Sequence, residues 1–241
     1  MKQALYVLTL AAVFAVSAYA DPDSTKKIPD AHRVQEALWH NMVFQDFRLE
    51  GFMRTDKQLH PLVLSTRNRE MIFEFPEEPL QVHVELTPEG SLVHRRKKKG
   101  NPWMAVTGEQ RLERILDSDV AYEDLGVDFL RWKNVKPLGL DSIKTLEAWA
   151  YEAKPDKISR YAKARYWISS EYLAVLRVDA YNKKGQVVKR VEVNGVQRVE
   201  GTEFYVIKEM MICNIIPGRD VSKTKSYFEI HKVQKGSGIP N

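Results

Sequence analysis

Apolar and polar residues alternate with a period of two over much of the chain. The clearest run starts at Tyr172, where Tyr172, Ala174, Leu176, Val178 and Ala180 fall on even positions, with Arg177, Asp179 and Tyr181 between them and Val175 the exception. Successive side chains of a strand leave opposite faces, so this is the pattern of a half-buried strand. Asn182-Lys183-Lys184-Gly185 then turns the chain, with Gly185 suited to the positive φ that closes a hairpin. On the return, Val187, Val191 and Val193 share a face opposite Gln186, Arg190 and Glu192. The stretch 161–193 thus reads as two long strands and a tight turn, wet on one side and apolar on the other.

The same period runs through the first half. Phe47, Leu49, Gly51 and Met53 share a face, His60 to Thr66 is a short apolar run, and Met71, Phe73 and Phe75 alternate with polar neighbours. Leu80, Val82, Val84 and Leu86 follow, ended by the turn Thr87-Pro88-Glu89-Gly90. Short connections between such strands predict an antiparallel meander, not a βαβ arrangement. Two segments break the period. Asp30 can cap a helix running to about Gln45, with Val34, Ala37, Leu38, Asn41 and Met42 in one stripe. Residues 107–132 read as helical, with Leu112, Ile115 and Leu116 on one stripe and Asp119 capping a second short helix that carries Leu125, Phe129 and Leu130. After Pro137-Leu138-Gly139, strand character resumes over Leu146 to Ala153, and Gln197 to Ile216 and Ser226 to Val233 supply the last strands.

The first 20 of the 241 residues have the form of a cleaved secretory signal: Lys2, an apolar core from Ala4 to Val16, and Ala18-Tyr19-Ala20 as the cleavage pattern. Export to the periplasm is expected, with 21–29 a loose lead-in and 235–241 a frayed tail. Losing Lys2 takes the formal net charge from +5 to +4, too modest for a dedicated nucleic-acid surface. Cys213 is the one cysteine, so no internal disulfide is available and apolar burial must hold the domain. The compact basic run Arg95, Arg96, Lys97, Lys98 and Lys99, preceded by His94, reads as a solvated turn or as a contact for an anionic membrane surface or acidic partner, at about 1 kcal/mol per residue close to the surface.

Catalytic and metal-binding patterns are missing. The six histidines have no metal-ligand spacing, there is no CxxC, and no GxSxG, P-loop or GxGxxG occurs. Cys213 follows Met210-Met211-Ile212, a setting that suits a quiet buried thiol. Carboxylate pairs such as Asp117/Asp119 and Glu77/Glu78 are unmarked. Neither cofactor nor metal is expected, and a hydrolase built from scattered acids is the weakest reading.

Several segments together resemble the LolA-like outer-membrane lipoprotein-sorting proteins. They are Phe47-Arg48-Leu49-Glu50-Gly51 with Pro61-Leu62, Ile72-Phe73-Glu74-Phe75, Ser118 to Leu125 with Phe129-Leu130-Arg131-Trp132, Tyr161, Trp167-Ile168, Ala180 to Gly185 with Val188-Lys189-Arg190, Glu209-Met210, and Lys223-Thr224. The resemblance implies one domain over 21–241, mainly β (α+β): a curved antiparallel sheet forming an incomplete β-barrel, with helices on its concave side. It further implies an apolar cavity between sheet and helices for the acyl chains of lipoproteins or other lipids, with an inner-membrane donor complex as a possible partner. The candidate lining is Phe47, Leu49, Phe73, Phe75, Val82, Val84, Leu176, Val178, Val191, Val193 and Met210. The alternative on the same scaffold is a protein-binding envelope module, either a stress sensor or an outer-membrane assembly factor.

Overall fold

The computed structural model describes residues 28–236, 238 and 239, so the expected signal sequence lies outside the described residues. Thirteen strands follow one another: β1 (Phe44–Arg54), β2 (Leu59–Asn68), β3 (Glu70–Phe75), β4 (Leu80–Thr87), β5 (Gly90–Arg96), β6 (Met104–Ala105), β7 (Asn134–Ile143), β8 (Leu146–Lys154), β9 (Lys163–Ser169), β10 (Val175–Tyr181), β11 (Val187–Arg198), β12 (Tyr205–Ile215) and β13 (Ser222–Lys235). They form a single antiparallel sheet in the order β6-β5-β4-β3-β2-β1-β13-β12-β11-β10-β9-β8-β7. The two meanders join where β1 pairs with β13. Strands β6 and β7 remain free edges, and the sheet is not closed into a barrel. This is the antiparallel meander that the alternating pattern predicted and the incomplete barrel that the resemblance implied.

One face of the sheet packs on helix α1 (Ala31–Asn41) and on the segment 106–132, forming a continuous core with residues from nearly every strand. Asp30 caps α1 as predicted, its carboxylate accepting from the backbone N–H groups of His32 and Arg33. The helix stops at Asn41, short of the predicted Gln45, because Phe44 already belongs to β1. Gln35 donates to the Trp132 carbonyl at 3.1 Å, and the Tyr151 hydroxyl donates to the Pro29 carbonyl at 3.0 Å, which fixes α1 against the sheet.

Several expectations need correction. Residues 107–132 are largely irregular: only Gly108–Leu112, Asp128–Leu130 (both single 3₁₀ turns) and α2 (Tyr122–Leu125) are helical. Left-handed backbone at Gly108, Leu116 and Val127 interrupts any longer helix. Asp119 caps nothing; it is buried against β12 and β13. Residues 161–193 contain three strands, since the chain reverses once more between Ser169 and Ala174, where Leu173 takes a φ of 49°. Pro137-Leu138-Gly139 is not a break but a bulge within edge strand β7, a place where a missing N–H is tolerated. Past β13, Gly236 N–H donates to the Asp46 carbonyl, Arg67 donates to the Ile239 carbonyl, and Ile239 is buried.

Gly51 sits at a bulge where β1 skips one residue of β13. A Cβ at that position would collide with the Glu229 carbonyl, so only glycine allows the approach.

The other face carries ion pairs in ladders. Arg177 and Arg190 both grip Asp179, and Lys163 and Arg165 hold Glu152 at 2.7 and 2.9 Å. Burial pushes the Glu152 carboxyl up, but the hydrogen bonds from Lys163 and Arg165 outweigh it and bring the pKa down to about 2 from the usual 4.5. A depressed carboxyl contributes stability that is present above pH 4.5 and is lost as pH falls towards 2. The expected result is that the urea midpoint of Glu152→Gln falls less than that of the wild type between pH 5 and pH 3. Parallel acid profiles for the two proteins would contradict this assignment.

Candidate functional site

Between the inner face of β9–β12 and the segment 123–132 lies a hollow of about 420 Å³. Its floor is apolar: Val175, Val178 and Ala180 on β10, Val191 and Val193 on β11, Met210 on β12 and Ala164 on β9. Phe129 and Trp132 close it from the opposite side, together with Val127. Val127 has φ 46° and ψ 32°, a strained conformation for a β-branched residue that the packed surroundings must hold in place.

Of the predicted lining, Val178, Val191, Val193 and Met210 border this hollow from the inner face, and Leu176 borders it at a bulge that sends its side chain the other way. Phe47, Leu49, Phe73, Phe75, Val82 and Val84 are buried in the filled core of the β1–β5 half and do not border it. Leu176 occupies a bulge between Val175 and Arg177. The bulge turns its side chain into a small cluster on the outer face with Ile143, Ala148, Ala150 and Trp167, and returns Val175, the sequence exception, to the inner face. In the basic run, Arg95 and Arg96 lie in β5: Arg95 pairs with Glu113 at 2.8 Å, while Arg96 bonds Gln81 and sits over Trp103. Lys97, Lys98 and Lys99 are exposed in the following turn and border no part of the hollow.

The hollow also has a polar wall that period-two reading did not find. Lys189 lies on the same face of β11 as Val187 and Val191 and is buried, its ammonium group paired with the buried Asp124 carboxylate. Asp124 also accepts from the Tyr161 hydroxyl at 2.9 Å and from the Ala121 N–H at 2.7 Å. Beside it, Glu123 receives Arg160 Nε at 2.7 Å and Ser159 Oγ at 3.2 Å. Burial, with the Asp124 charge adding to it, raises the Glu123 pKa and holds the Tyr161 phenol well above its usual value. Farther along, Arg111 bridges Asp128 and Ser91, and Gly126 leaves room for the Ser91 side chain that any Cβ would strike. The one sequence signal for this wall was a lysine on the apolar parity of a strand.

Among the described residues no group of three or more His, Cys, Asp or Glu side chains could hold a metal ion, and the buried Cys213 thiol has its pKa raised by burial. No helix among them is long and apolar enough to cross a membrane.

A single antiparallel sheet packed on a helix and an irregular inner segment is a LolA-like fold, and solved structures agree. A putative outer membrane lipoprotein-sorting protein domain from Vibrio parahaemolyticus is similar at a TM-score of 0.69 and 13% identity, over 88% of this chain and 95% of that one. A DUF1329 family protein from Desulfovibrio piger gives 0.66 and 13%, over 87% and 93%. A LolA superfamily protein from Nitrosomonas europaea gives 0.54 and 14%, over 79% and 86%. At such identities the likeness is one of fold. The chain belongs to a family described as "Uncharacterized protein", whose model matches residues 101–241, the part that builds most of the hollow. No curated protein matches the chain.

Proposed function

We propose that this protein is a periplasmic carrier that shelters acyl chains of lipoproteins or other lipids in the hollow and performs no covalent chemistry. The observation that carries this reading is the apolar floor of β10–β12 left uncovered beneath Phe129 and Trp132. Exposing an acyl chain to water costs about 0.8 kcal/mol per methylene, so a carrier in aqueous surroundings must supply such a surface. Short side chains at Ala164 and Ala180 keep the floor open, and Met210 adapts to chains of different shape. The lipoprotein-sorting name of the Vibrio relative supports the same reading.

Ala180→Trp would fill the floor from within. The expected result is a loss of at least ~10-fold in affinity for a fluorescent acyl probe, with the β-sheet circular dichroism retained. A wild-type protein that binds no acyl probe, and yields no bound lipid by native mass spectrometry, would exclude the carrier role. Crosslinking to a protein partner in that case would support the envelope-module alternative.

A further inference from the structure

Three segments far apart in sequence bring two guanidinium groups over one indole, and one of the two borders the hollow. Arg69, in the turn between β2 and β3, places its Cζ 3.7 Å from the centroid of the Trp39 ring. Arg131, just past the Asp128–Leu130 turn, places its Cζ at 4.4 Å from the same ring and borders the hollow itself. Both are held by neutral acceptors: Arg69 donates to the Trp39 carbonyl at 2.9 Å, and Arg131 donates twice to the Pro88 carbonyl, at 3.1 and 2.9 Å.

Neither arginine makes an ion pair among the described residues, although most of the half-buried arginines on this chain do. Glu89 and Glu36 attract Arg131 without reaching it. Burial lowers the pKa of both groups, and the Arg131 charge lowers that of Arg69 further. Two like charges, both partly shielded from water, therefore repel each other and keep N–H donors to spare. A tetrahedral oxyanion set against both would offset the repulsion and accept paired N–H···O bonds, which planar guanidinium groups make better than any other side chain.

We propose that Arg69 and Arg131, over Trp39, form a site for a phosphate group carried by a single-chain amphiphile whose tail occupies the hollow. The inference rests on the acyl reading of the hollow and narrows it. A volume of about 420 Å³ lies low in the range of roughly 300–1,000 Å³ that one drug-sized ligand fills, room for one acyl chain and not for three. The opposing polar wall is already neutralised within itself by Lys189–Asp124, Arg111–Asp128 and Arg160–Glu123. Of the other cations that border the hollow, Arg177 pairs with Asp179 and Lys157 donates to the Glu89 carbonyl, so Arg131 is the bordering arginine that has no ion pair among the described residues.

The test titrates three probes into the protein: lysophosphatidylglycerol, a monoacylglycerol of the same chain length, and inorganic phosphate. Trp39 emission, with Trp39→Phe as the blank, and native mass spectrometry report binding. The phosphate-headed lipid is expected to bind about tenfold more tightly than the neutral one, the factor one charge-assisted hydrogen bond supplies. Arg69→Gln with Arg131→Gln should bring the affinities for the two lipids to within about twofold of each other, with retained β-sheet circular dichroism showing that the variant is folded. Arg69→Lys, which keeps the charge and loses the fork, should fall between. Equal affinity of the wild type for both lipids, or a preference that survives the double substitution, overturns the proposal. Inorganic phosphate binding as tightly as the lipid overturns the assignment to an amphiphile. If monoacylglycerol fails to bind as well, the acyl reading of the hollow falls with it.

Discussion

Replacing Lys189 with Ala is expected to lower the unfolding free energy by roughly 3–5 kcal/mol, a large part of the ~5–15 kcal/mol that holds a typical domain together. The side chains of Lys189 and Asp124 are 4% and 6% exposed, so the truncation leaves a carboxylate out of water without its cation. The Tyr161 hydroxyl and the Ala121 N–H still donate to it, but neither carries charge, and Glu123 stands next to it with a carboxylate of its own. Removing both members of the pair avoids the uncompensated charge. Lys189→Met with Asp124→Leu should therefore cost less than Lys189→Ala alone, even though it changes two core positions. Urea titration at pH 7 of the three proteins reads both statements. A Lys189→Ala loss below about 1 kcal/mol would mean that the pair is solvated in solution and contributes as a surface bridge does.

Asp119→Ala is expected to cost roughly 3 kcal/mol and to free the segment 113–121 before the rest of the sheet opens. Asp119 is 3% exposed and accepts from Arg114 at 2.9 Å, from Ser226 at 3.3 Å, and from Asn214 and Thr224, while its own N–H donates to Ser226 Oγ at 2.8 Å. Hydrogen bonds to a charged group contribute ~1.5–3 kcal/mol each and do not add when they share one acceptor, which sets the figure. Its other side-chain ties to the sheet, Asp117 to His60 at 2.7 Å and Glu113 to Arg95 at 2.8 Å, are made by carboxylates that are 32% and 51% exposed. Ile115 and Val120 close it with one backbone bond, and a single bridge joins Arg114 to Ala121. Limited proteolysis should cut the variant within 113–121 under conditions where the wild type is intact. Cleavage rates that match would contradict this role for Asp119. Asp119→Asn keeps an acceptor oxygen and should fall between the two.

Both predictions concern the inner segment 106–132, and this is where the sequence was hardest to read. Its apolar residues, Ile115, Leu125 and Leu130, are buried as their spacing suggested, yet the backbone between them is not helical. Leu116 and Val127 adopt left-handed conformations that no propensity favours, in a segment that Asp119 ties to Asn214 on a strand 95 residues away. The hollow was half legible. Alternation placed Val178, Val191 and Val193 on one inner face, but could not separate them from Phe47, Phe73 and Val82, which share the same parity on strands where the core is filled. Whether an inward residue meets a neighbour or a void depends on what lies across from it, and period alone carries no such information.

What the sequence by itself determined is local and periodic. The inward-facing residues of β1, β3 and β4, the Asp30 cap and the Gly185 turn (φ 74°) all follow from interactions within a few residues. The tertiary structure decided the rest: the join of β1 to β13, the bulge that turns Leu176 outward, the burial of Lys189 against Asp124, and the meeting of Arg69 and Arg131 over Trp39. Each of these depends on groups more than twenty residues apart, or on a register that one inserted residue shifts. Their energies come from desolvation and charge, which exist only once the sheet has closed around its inner segment.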